Sequence, residues 1–521
     1  MADEIELKLM LPQTSAGKKV TYSPVKTATA FGLDQPRPAK TQHLQSTYFD
    51  TEDEWLRRHG MALRIRRIGR QRLQTLKAPT VEVTGAQAYR EIETPIIGDM
   101  PDLALITDPD LFRRLVDADL SRRLVPAFIT DFRRTTWDVD FDGAQIELAL
   151  DRGQIIAGER QAPILEVELE LKQGEPAALF ALAEAALGRL PFCLGHRSKA
   201  ARGYQLRAGW EAGPVKASPL ELSESCDVGN AFNQIVGHCL TLLHANELAV
   251  IGSENPEGIH QFRVALRRLR SIVRAYRDLM DEGAYQLLSS ELRWLQGQFG
   301  PARDLDVFIA ETLLPIRERF PDQAGLAHLL EIAGKRCQEA RHQAHRTLQE
   351  SRYAGIQLMI YRWLATQSWR RASATASLSI AAPDFAGKLL KRQHKKLRQH
   401  GKNGQVPEAQ LHELRVAGKK MRYLGEAFRV FYKPRAYKNY TQHLTAIQDC
   451  LGALNDAFVG RRLMTDLIAD MQAEASLTEV EIEYVKGVIL GWQAGRIDLN
   501  LRHFTSVWRD FLDTDPYWKH G

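Results

Sequence analysis

From Glu4 to Tyr204 charged and apolar residues alternate in short runs separated by Gly, Pro and Asp. Successive side chains of a strand face opposite ways, so the opening run sets Glu4, Glu6 and Lys8 on one face and Ile5, Leu7 and Leu9 on the other. The pattern recurs. Arg64 and Arg66 oppose Leu63 and Ile65; Glu147 and Asp151 oppose Ile146, Leu148 and Leu150; Glu166, Glu168, Glu170 and Lys172 oppose Val167, Leu169 and Leu171. Helical spacing interrupts the strands near Asp110 to Asp117 and Glu175 to Leu190. The pattern predicts a strand-rich α+β domain over residues 1–207.

Ala208 to Ser225, AGWEAGPVKASPLELSES, breaks both periodicities and predicts an extended linker over 208–225. Over 226–515 the spacing is helical almost throughout, with a second break from Ala372 to Phe385, where Asp384 is placed to cap the next helix. The two helical stretches are copies. His260 to Arg270, HQFRVALRRLR, matches His412 to Arg422, HELRVAGKKMR, at an offset of 152 residues. Leu295 to Val307 matches Ile447 to Val459 at the same offset of 152, pairing Gly300 with Gly452 and Asp304 with Asp456. Duplication predicts an all-α domain of two four-helix bundles, with halves at about 226–371 and 384–515.

A length of 521 residues exceeds one ordinary core, and 44% hydrophobic with 26% charged residues is the composition of a folded, soluble chain. Met1 to Leu11 carries Asp3, Glu4 and Glu6 where a secretory leader would be basic and then apolar. No run of about 18 apolar residues appears, so the sequence predicts a cytoplasmic protein without a membrane span. The five cysteines, Cys193, Cys226, Cys239, Cys337 and Cys450, are scattered, which predicts buried thiols and neither a disulfide framework nor a zinc cluster. The net charge of +6 is unevenly spread: residues 1–207 hold 29 basic and 29 acidic groups, the remainder 41 and 35. The excess falls in the helical region.

A merely solvated sheet face mixes Thr, Ser, Gln and Lys. Here carboxylates stand roughly 7 Å apart along one strand face and need cations to relieve their repulsion. Hard divalent cations, Mg²⁺ or Mn²⁺, take carboxylate oxygens, while Arg and Lys on neighbouring strands donate to phosphate oxygens. The combination predicts a phosphoryl-transfer site. Glu4-Ile-Glu6-Leu-Lys8 resembles the ExExK signature of the CYTH superfamily, the triphosphate tunnel metalloenzymes. The resemblance continues in order through Tyr48-Phe49-Asp50-Thr51, Ala62 to Arg66, Thr75-Leu-Lys77, Arg90-Glu91-Ile-Glu93, the Glu166 series and Ser198-Lys199.

That resemblance implies an eight-stranded antiparallel barrel open as a tunnel, with charged residues inward and helices over an apolar outside. By position it implies that Glu4 and Glu6 hold the metal with Glu166 and Glu168, that Asp151 and Glu147 complete the acidic side, and that Glu170 offers a second register. Glu4, Glu6, Lys8 and Asp151 would be the catalytic set. Lys8, Arg64, Arg66, Lys77, Arg134 and Lys199 would grip the phosphates. Relatives often show Lys-x-Arg where Phe132 precedes Arg134, so one contact is missing or comes from Arg133. For Arg90, Glu91 and Glu93 a salt-bridged rim and a direct site role both remain open.

In the helical region His260, Arg263, Arg267, Arg270 and Arg274 recur at steps of three and four and form one stripe, beside an apolar stripe of Phe262, Leu266, Leu269, Val273 and Tyr276. The second copy repeats it with His412, Arg415, Lys419 and Arg422 beside Leu414, Met421 and Phe428, while Gly418 and Gly425 predict close helix contact. Such rows of cations are relieved either by carboxylates of neighbouring helices or by a bound polyanion. The pattern resembles the CHAD domain, the conserved histidine α-helical domain, over about Cys226 to Phe511. The resemblance implies binding of inorganic polyphosphate by the two histidines and the stripe cations. The order CYTH then CHAD resembles bacterial inorganic triphosphatases and implies metal-dependent hydrolysis of inorganic triphosphate to diphosphate and phosphate. The rival readings are a hydrolase or cyclase of thiamine triphosphate or ATP, and a non-catalytic polyphosphate scaffold. Neither membrane nor nucleic acid is an expected partner.

Overall fold

The computed structural model describes residues 3–15, 18–19, 21–33, 40–80, 85–209, 213–401, 408–474 and 477–519. The chain forms two compact units, Met1–Glu211 with Leu348–Ser368, and Ala212–Thr347 with Trp369–Gly521.

In the first unit the alternating runs become β1 (Asp3–Met10), β2 (Lys40–Asp50), β3 (Ala62–Ile68), β4 (Gln71–Pro79), β5 (Gln87–Pro95), β6 (Val125–Phe141), β7 (Ala144–Ala157) and β8 (Arg160–Gln173). They pair in the order β8-β7-β6-β2-β3-β4-β5-β1, and β1 pairs again with β8, so eight antiparallel strands close into a barrel. A short strand, β9 (Cys193–Gly195), adds to β1 where β5 stops. Register brings the charged positions together: Glu6 faces Glu170, Lys8 faces Glu168, and across β8 Glu170 faces Glu147 and Glu166 faces Asp151. The opposite faces of β2 to β5 carry Phe49, Leu63, Ile65, Leu76 and Ile92, buried against Leu111 and Leu115 of helix α2 (Pro109–Asp117).

Three further helices matter for the interior: α1 (Trp55–Arg58), α3 (Ala177–Ala186) and α4 (Lys199–Ala208). Ala200 and Tyr204 of α4 pack on Leu44, Tyr48, Phe128, Phe132, Ile155 and Ile164, side chains at inward-facing strand positions. A Cβ at Gly203 would lie 2.2 Å from the Phe128 ring, so this approach needs glycine. The barrel interior is thus charged along part of its length and filled by an apolar plug along the rest.

The rest of the chain forms α5 (Val228–Gly252), α6 (Pro256–Ala275), α7 (Glu282–Phe308), α8 (Ala324–Leu348), α9 (Ser351–Thr366), α10 (Ala382–His400), α11 (Glu408–Phe428), α12 (Pro434–Ala473) and α13 (Glu479–Leu512). The offset of 152 carries Pro256 to Glu408 and Glu282 to Pro434, the first residues of α6 and α11 and of α7 and α12. The copies interlock. α6 packs on α11 and α7 on α12. One core joins Leu305 and Phe308 of α7, Leu329 and Ile332 of α8, Met464 and Leu467 of α12, and Ile482 and Val485 of α13. The predicted apolar stripes are buried throughout.

Three details differ from the sequence expectation or refine it. Helix α9 belongs to the first unit, so the first helical copy does not run unbroken to residue 371. Asp384 lies inside the first turn of α10, because Pro383 lets the helix begin earlier and Ala381 takes the cap position. Part of the expected linker is tied down: the Asn246 carboxamide accepts from the Val215 N–H and donates to the Val215 carbonyl, both at 2.9 Å. Helix α5 is long and apolar enough to cross a membrane, yet half of its most apolar window is buried in the fold. None of the five cysteines is in a disulfide; four are buried and Cys193 is half-buried.

Candidate functional site

Inside the barrel a cavity of about 410 Å³ gathers most of the predicted residues. Strand β1 contributes Glu4, Glu6 and Lys8, β8 contributes Glu168 and Glu170, and β7 contributes Glu147. The cations come from elsewhere on the ring: Arg64 and Arg66 from β3, Lys77 from β4, Arg134 from β6, and Lys199 from the start of α4. Lys8 Nζ lies 2.6 Å from Glu6 and 2.5 Å from Glu168, while Lys77 binds Glu4 and stands 3.6 Å from Glu91.

Asp151 and Glu166 sit deeper and are fully buried. Arg134 donates to Asp151 through two nitrogens, at 2.8 and 2.7 Å, and also to Glu168. Lys199 Nζ lies 2.6, 2.5 and 2.9 Å from Asp151, Glu166 and Glu168. The carboxylate oxygens of these three residues lie within 4.8 Å of one another, a spacing a metal could bridge, yet the ammonium already supplies positive charge there. Burial works against ionisation of Asp151 and Glu168. Arg134 and Lys199 nevertheless hold Asp151 below the usual carboxylate range, and Lys199, Lys8 and Arg134 hold Glu168 well below it. Glu147 behaves differently: burial pushes its carboxyl up, against Lys172 and with help from Glu170 and Asp138.

Across the ring the guanidiniums of Arg64 and Arg66 are less completely paired. Arg64 donates to the Tyr48 hydroxyl and to Glu91, each at 3.3 Å, but Nε of Arg64 and Nε of Arg66 are buried without a hydrogen-bond partner. Burial, with Arg64 and Arg134 nearby, pulls Arg66 down to about 10. An anion placed there would reverse both penalties.

In the second unit the two basic stripes meet, because α6 packs on α11. Arg263 and Arg267 from one copy stand near Arg415 and Lys419 from the other. Burial, with Arg267 and Arg415 beside it, pushes the Lys419 amine down to about 6. Arg263 falls to about 10 through burial and the charges of Arg267, Arg303 and Arg415, only partly offset by Asp304. The Nε atoms of Arg263, Arg267 and Arg415 are buried without a partner. Asp304, 3.8 Å from Arg263, and its repeat counterpart Asp456 offset part of this charge.

Family models match the chain twice, as a CYTH domain over residues 2–204 and as a CHAD domain over residues 234–465. The chain thus carries a CYTH domain followed by a CHAD domain. An inorganic triphosphatase from Haemophilus influenzae is 38% identical over 164 residues, 31% of this chain and 46% of that protein, so the match spans a little under half of the relative. Among solved structures the CHAD domain from Ricinus communis is 31% identical, covering 56% of this chain and 96% of its own, with a TM-score of 0.48. PptA from Streptomyces chartreusis is 16% identical and covers 54% of this chain and 99% of its own, with a TM-score of 0.43.

Several readings of the CYTH domain change with the structure. Of the three alternating glutamates, Glu168 and Glu170 reach the cavity, whereas Glu166 is locked to Lys199 and to Arg202, which donates to it at 2.6 Å. Phe132 points inward, with Lys199 Nζ 5.0 Å and the Arg134 guanidinium 5.7 Å from its ring centre, so it begins the plug and braces two cations. Arg133 is exposed on the opposite strand face and does not supply the missing contact. Glu91 and Glu93 line the cavity, while Arg90 turns away to Asp108 at 3.0 Å. Arg57, unflagged by the sequence reading, also lines it. The motif residue Asp50 explains why: its carboxylate accepts from the N–H groups of Leu56 and Arg57 at 2.8 and 3.0 Å and from Tyr204 at 2.8 Å, fixing the start of α1.

In the CHAD domain the two histidines are not equivalent. His260 is half-buried and pushed down to about 4 by burial and Arg303, whereas His412 is exposed. The outer stripe members flank the central group: Arg422 pairs with Glu426 at 3.5 Å, Arg270 binds Gln296, and Arg274 is exposed.

Proposed function

We propose that the CYTH domain hydrolyses inorganic triphosphate to diphosphate and phosphate with Mg²⁺ or Mn²⁺, and that the CHAD domain binds inorganic polyphosphate. The supporting observation is the division of the cavity wall: carboxylates of β1, β7 and β8 stand across the ring from β3, where buried guanidinium nitrogens lack partners. The donors fit a hard divalent cation, being carboxylate oxygens only, and Glu4, Glu6, Glu168 and Glu170 would hold it. When bound, such a cation draws charge from phosphate oxygens as a Lewis acid.

The chain's own groups do the rest. Arg64 and Arg66 would take the terminal phosphate, gaining the acceptors their Nε atoms lack, while Lys8, Lys77, Arg134 and Lys199 fix the remaining oxygens. As water attacks a terminal phosphorus and the P–O bond to the bridging oxygen breaks, these cations stabilise charge on the departing diphosphate. A nucleotide base finds few stacking partners here, because the rings of Tyr48, Phe132 and Tyr204 are only 2–3% exposed, buried in the plug, and the half-buried ring of Tyr89 already has Lys77 Nζ 5.6 Å from its centre. Phosphate release from triphosphate, with and without a chelator, tests the proposal.

For the CHAD domain the support is the meeting of both stripes in one under-neutralised group, which offers a single site to a polyanion. A pH dependence follows. With its amine at about 6, Lys419 is mostly neutral at pH 7.5, and a bound polyanion would restore its charge, so binding takes up a proton and strengthens as pH falls from 8 towards 6. Titration calorimetry in two buffers of different protonation heat should give different apparent enthalpies, and Lys419→Arg should remove the difference. Equal enthalpies for the unmodified protein would exclude the uptake.

A further inference from the structure

Helix α9 lies in sequence inside the CHAD match, yet it packs within the tunnel unit, against α3 and β9. Its Tyr361 is almost fully buried, with its ring 5.5 Å from that of Phe180 in α3. The ring also meets the strand side of the barrel. Gly85, two residues before β5, has φ +91°, and a Cβ there would fall 2.3 Å from the Tyr361 ring, so glycine serves both the backbone conformation and the contact. Around this wedge are further ties: Arg362 pairs with Glu184 of α3 at 2.9 Å, and the Cys193 thiol donates to the Leu348 carbonyl at 3.4 Å.

The corner held in this way carries site residues. Strand β1 is paired by β5 over Asp3 to Glu6 and by β9 over Lys8 to Met10, and the Gln87 side chain donates to the Gly195 carbonyl at 3.2 Å, joining β5 to β9. Beyond β9 the chain runs through Ser198, whose hydroxyl accepts from the Ala201 N–H and starts α4, to Lys199. Displacement of β9 would therefore move Lys8 through β1 and Lys199 through the start of α4.

We propose that α9, although part of the CHAD sequence, is a positioning element of the triphosphate tunnel, with Tyr361 wedging the corner where β1, β5 and β9 meet. This rests on the triphosphatase reading for its kinetic readout alone. In the full chain, Tyr361→Ala should raise KM for triphosphate at least fivefold, with a smaller change in kcat and with polyphosphate affinity kept within twofold. Tyr361→Phe, which keeps the wedge, should restore KM. Gly85→Ala, which presses on the same ring from the strand side, should reproduce the rise.

A second readout needs no substrate and covers the case in which Tyr361→Ala fails to fold. A protease site inserted after Gly209 in the full chain is cut, and the fragments are run on size exclusion in high salt. The fragments should co-elute, because α9 remains seated in the tunnel unit, and Tyr361→Arg should separate them. Fragments that part without any substitution, or co-elution indifferent to Tyr361→Arg, would overturn the proposal, as would loss of polyphosphate binding with an unchanged KM. If the protein released no phosphate from triphosphate but the fragments behaved as expected, the substrate assignment would fail and the positioning role of α9 would stand.

Discussion

Glu6→Gln is expected to lower triphosphate turnover by at least about 100-fold while the barrel stays folded, because a ligand to a cation that contributes several kcal/mol of charge stabilisation is weakened. Glu6 is 4% exposed and 2.6 Å from Lys8. Glutamine keeps its shape and can still accept from the ammonium, and Lys8 retains Glu168 at 2.5 Å. Steady-state phosphate release, read beside the melting temperature, separates the two roles of the residue. Excess chelator should bring the unmodified enzyme to the same low level. A melting temperature that fell in step with activity would make Glu6 structural, and turnover that survived the chelator would remove the metal from the account.

Reversing Arg267 and Lys419 to Glu should weaken polyphosphate binding by at least about 100-fold at low salt, since two charge-assisted contacts of about 1.5–3 kcal/mol each are replaced by repulsion. The two positions are 152 residues apart in sequence but act on one group of cations, so the double change should not equal the sum of the single ones. Lys419 is already disfavoured as a cation by Arg267 and Arg415, so a carboxylate there relieves repulsion and the fold should tolerate it. Triphosphate hydrolysis should remain within about twofold, because the catalytic groups lie in the other unit. Calorimetric titration of the full chain with long polyphosphate, at two salt concentrations, reads the effect. In the unmodified protein affinity should fall steeply with salt as counterions are released. Binding indifferent to both reversals would mean that the stripes are solvated helix faces.

The barrel was legible because its signal is local. Alternation in β1, β3, β7 and β8 assigned each side chain to a face, and closure then forced those faces into one interior, so Glu4, Glu6, Lys8, Arg64, Glu147 and Glu168 meet as their spacing required. The duplication was legible for a similar reason: one constant offset implies one repeated set of helices. What escaped depends on which partner a buried face meets. Helix α4 is not singled out in the sequence and α9 reads only as part of the helical region; periodicity does not say that one fills the barrel and the other leaves the helical region for α3 and β9.

Single substitutions within a motif were hard to weigh for the same reason. Phe132 looked like a lost phosphate contact, whereas its level of the barrel is where the charged interior gives way to the plug. Asp50 enters only as one residue of the Tyr48 to Thr51 resemblance, yet it holds the start of α1 and so brings Arg57 to the cavity. The stripe histidines opened equivalent positions in the sequence, yet packing left one half-buried and the other exposed. Burial, which decides such cases, is set by tertiary neighbours and not by spacing.

The central claim, that the cavity is built for a short inorganic triphosphate and works with a divalent cation, is tested most directly by specificity constants. Phosphate release would be measured from inorganic triphosphate, ATP and thiamine triphosphate, each with Mg²⁺ and with Mn²⁺ and each repeated in excess chelator. The account predicts the highest kcat/KM for inorganic triphosphate with either metal and no release in chelator. A higher kcat/KM for ATP or thiamine triphosphate, or release that the chelator leaves untouched, would contradict it.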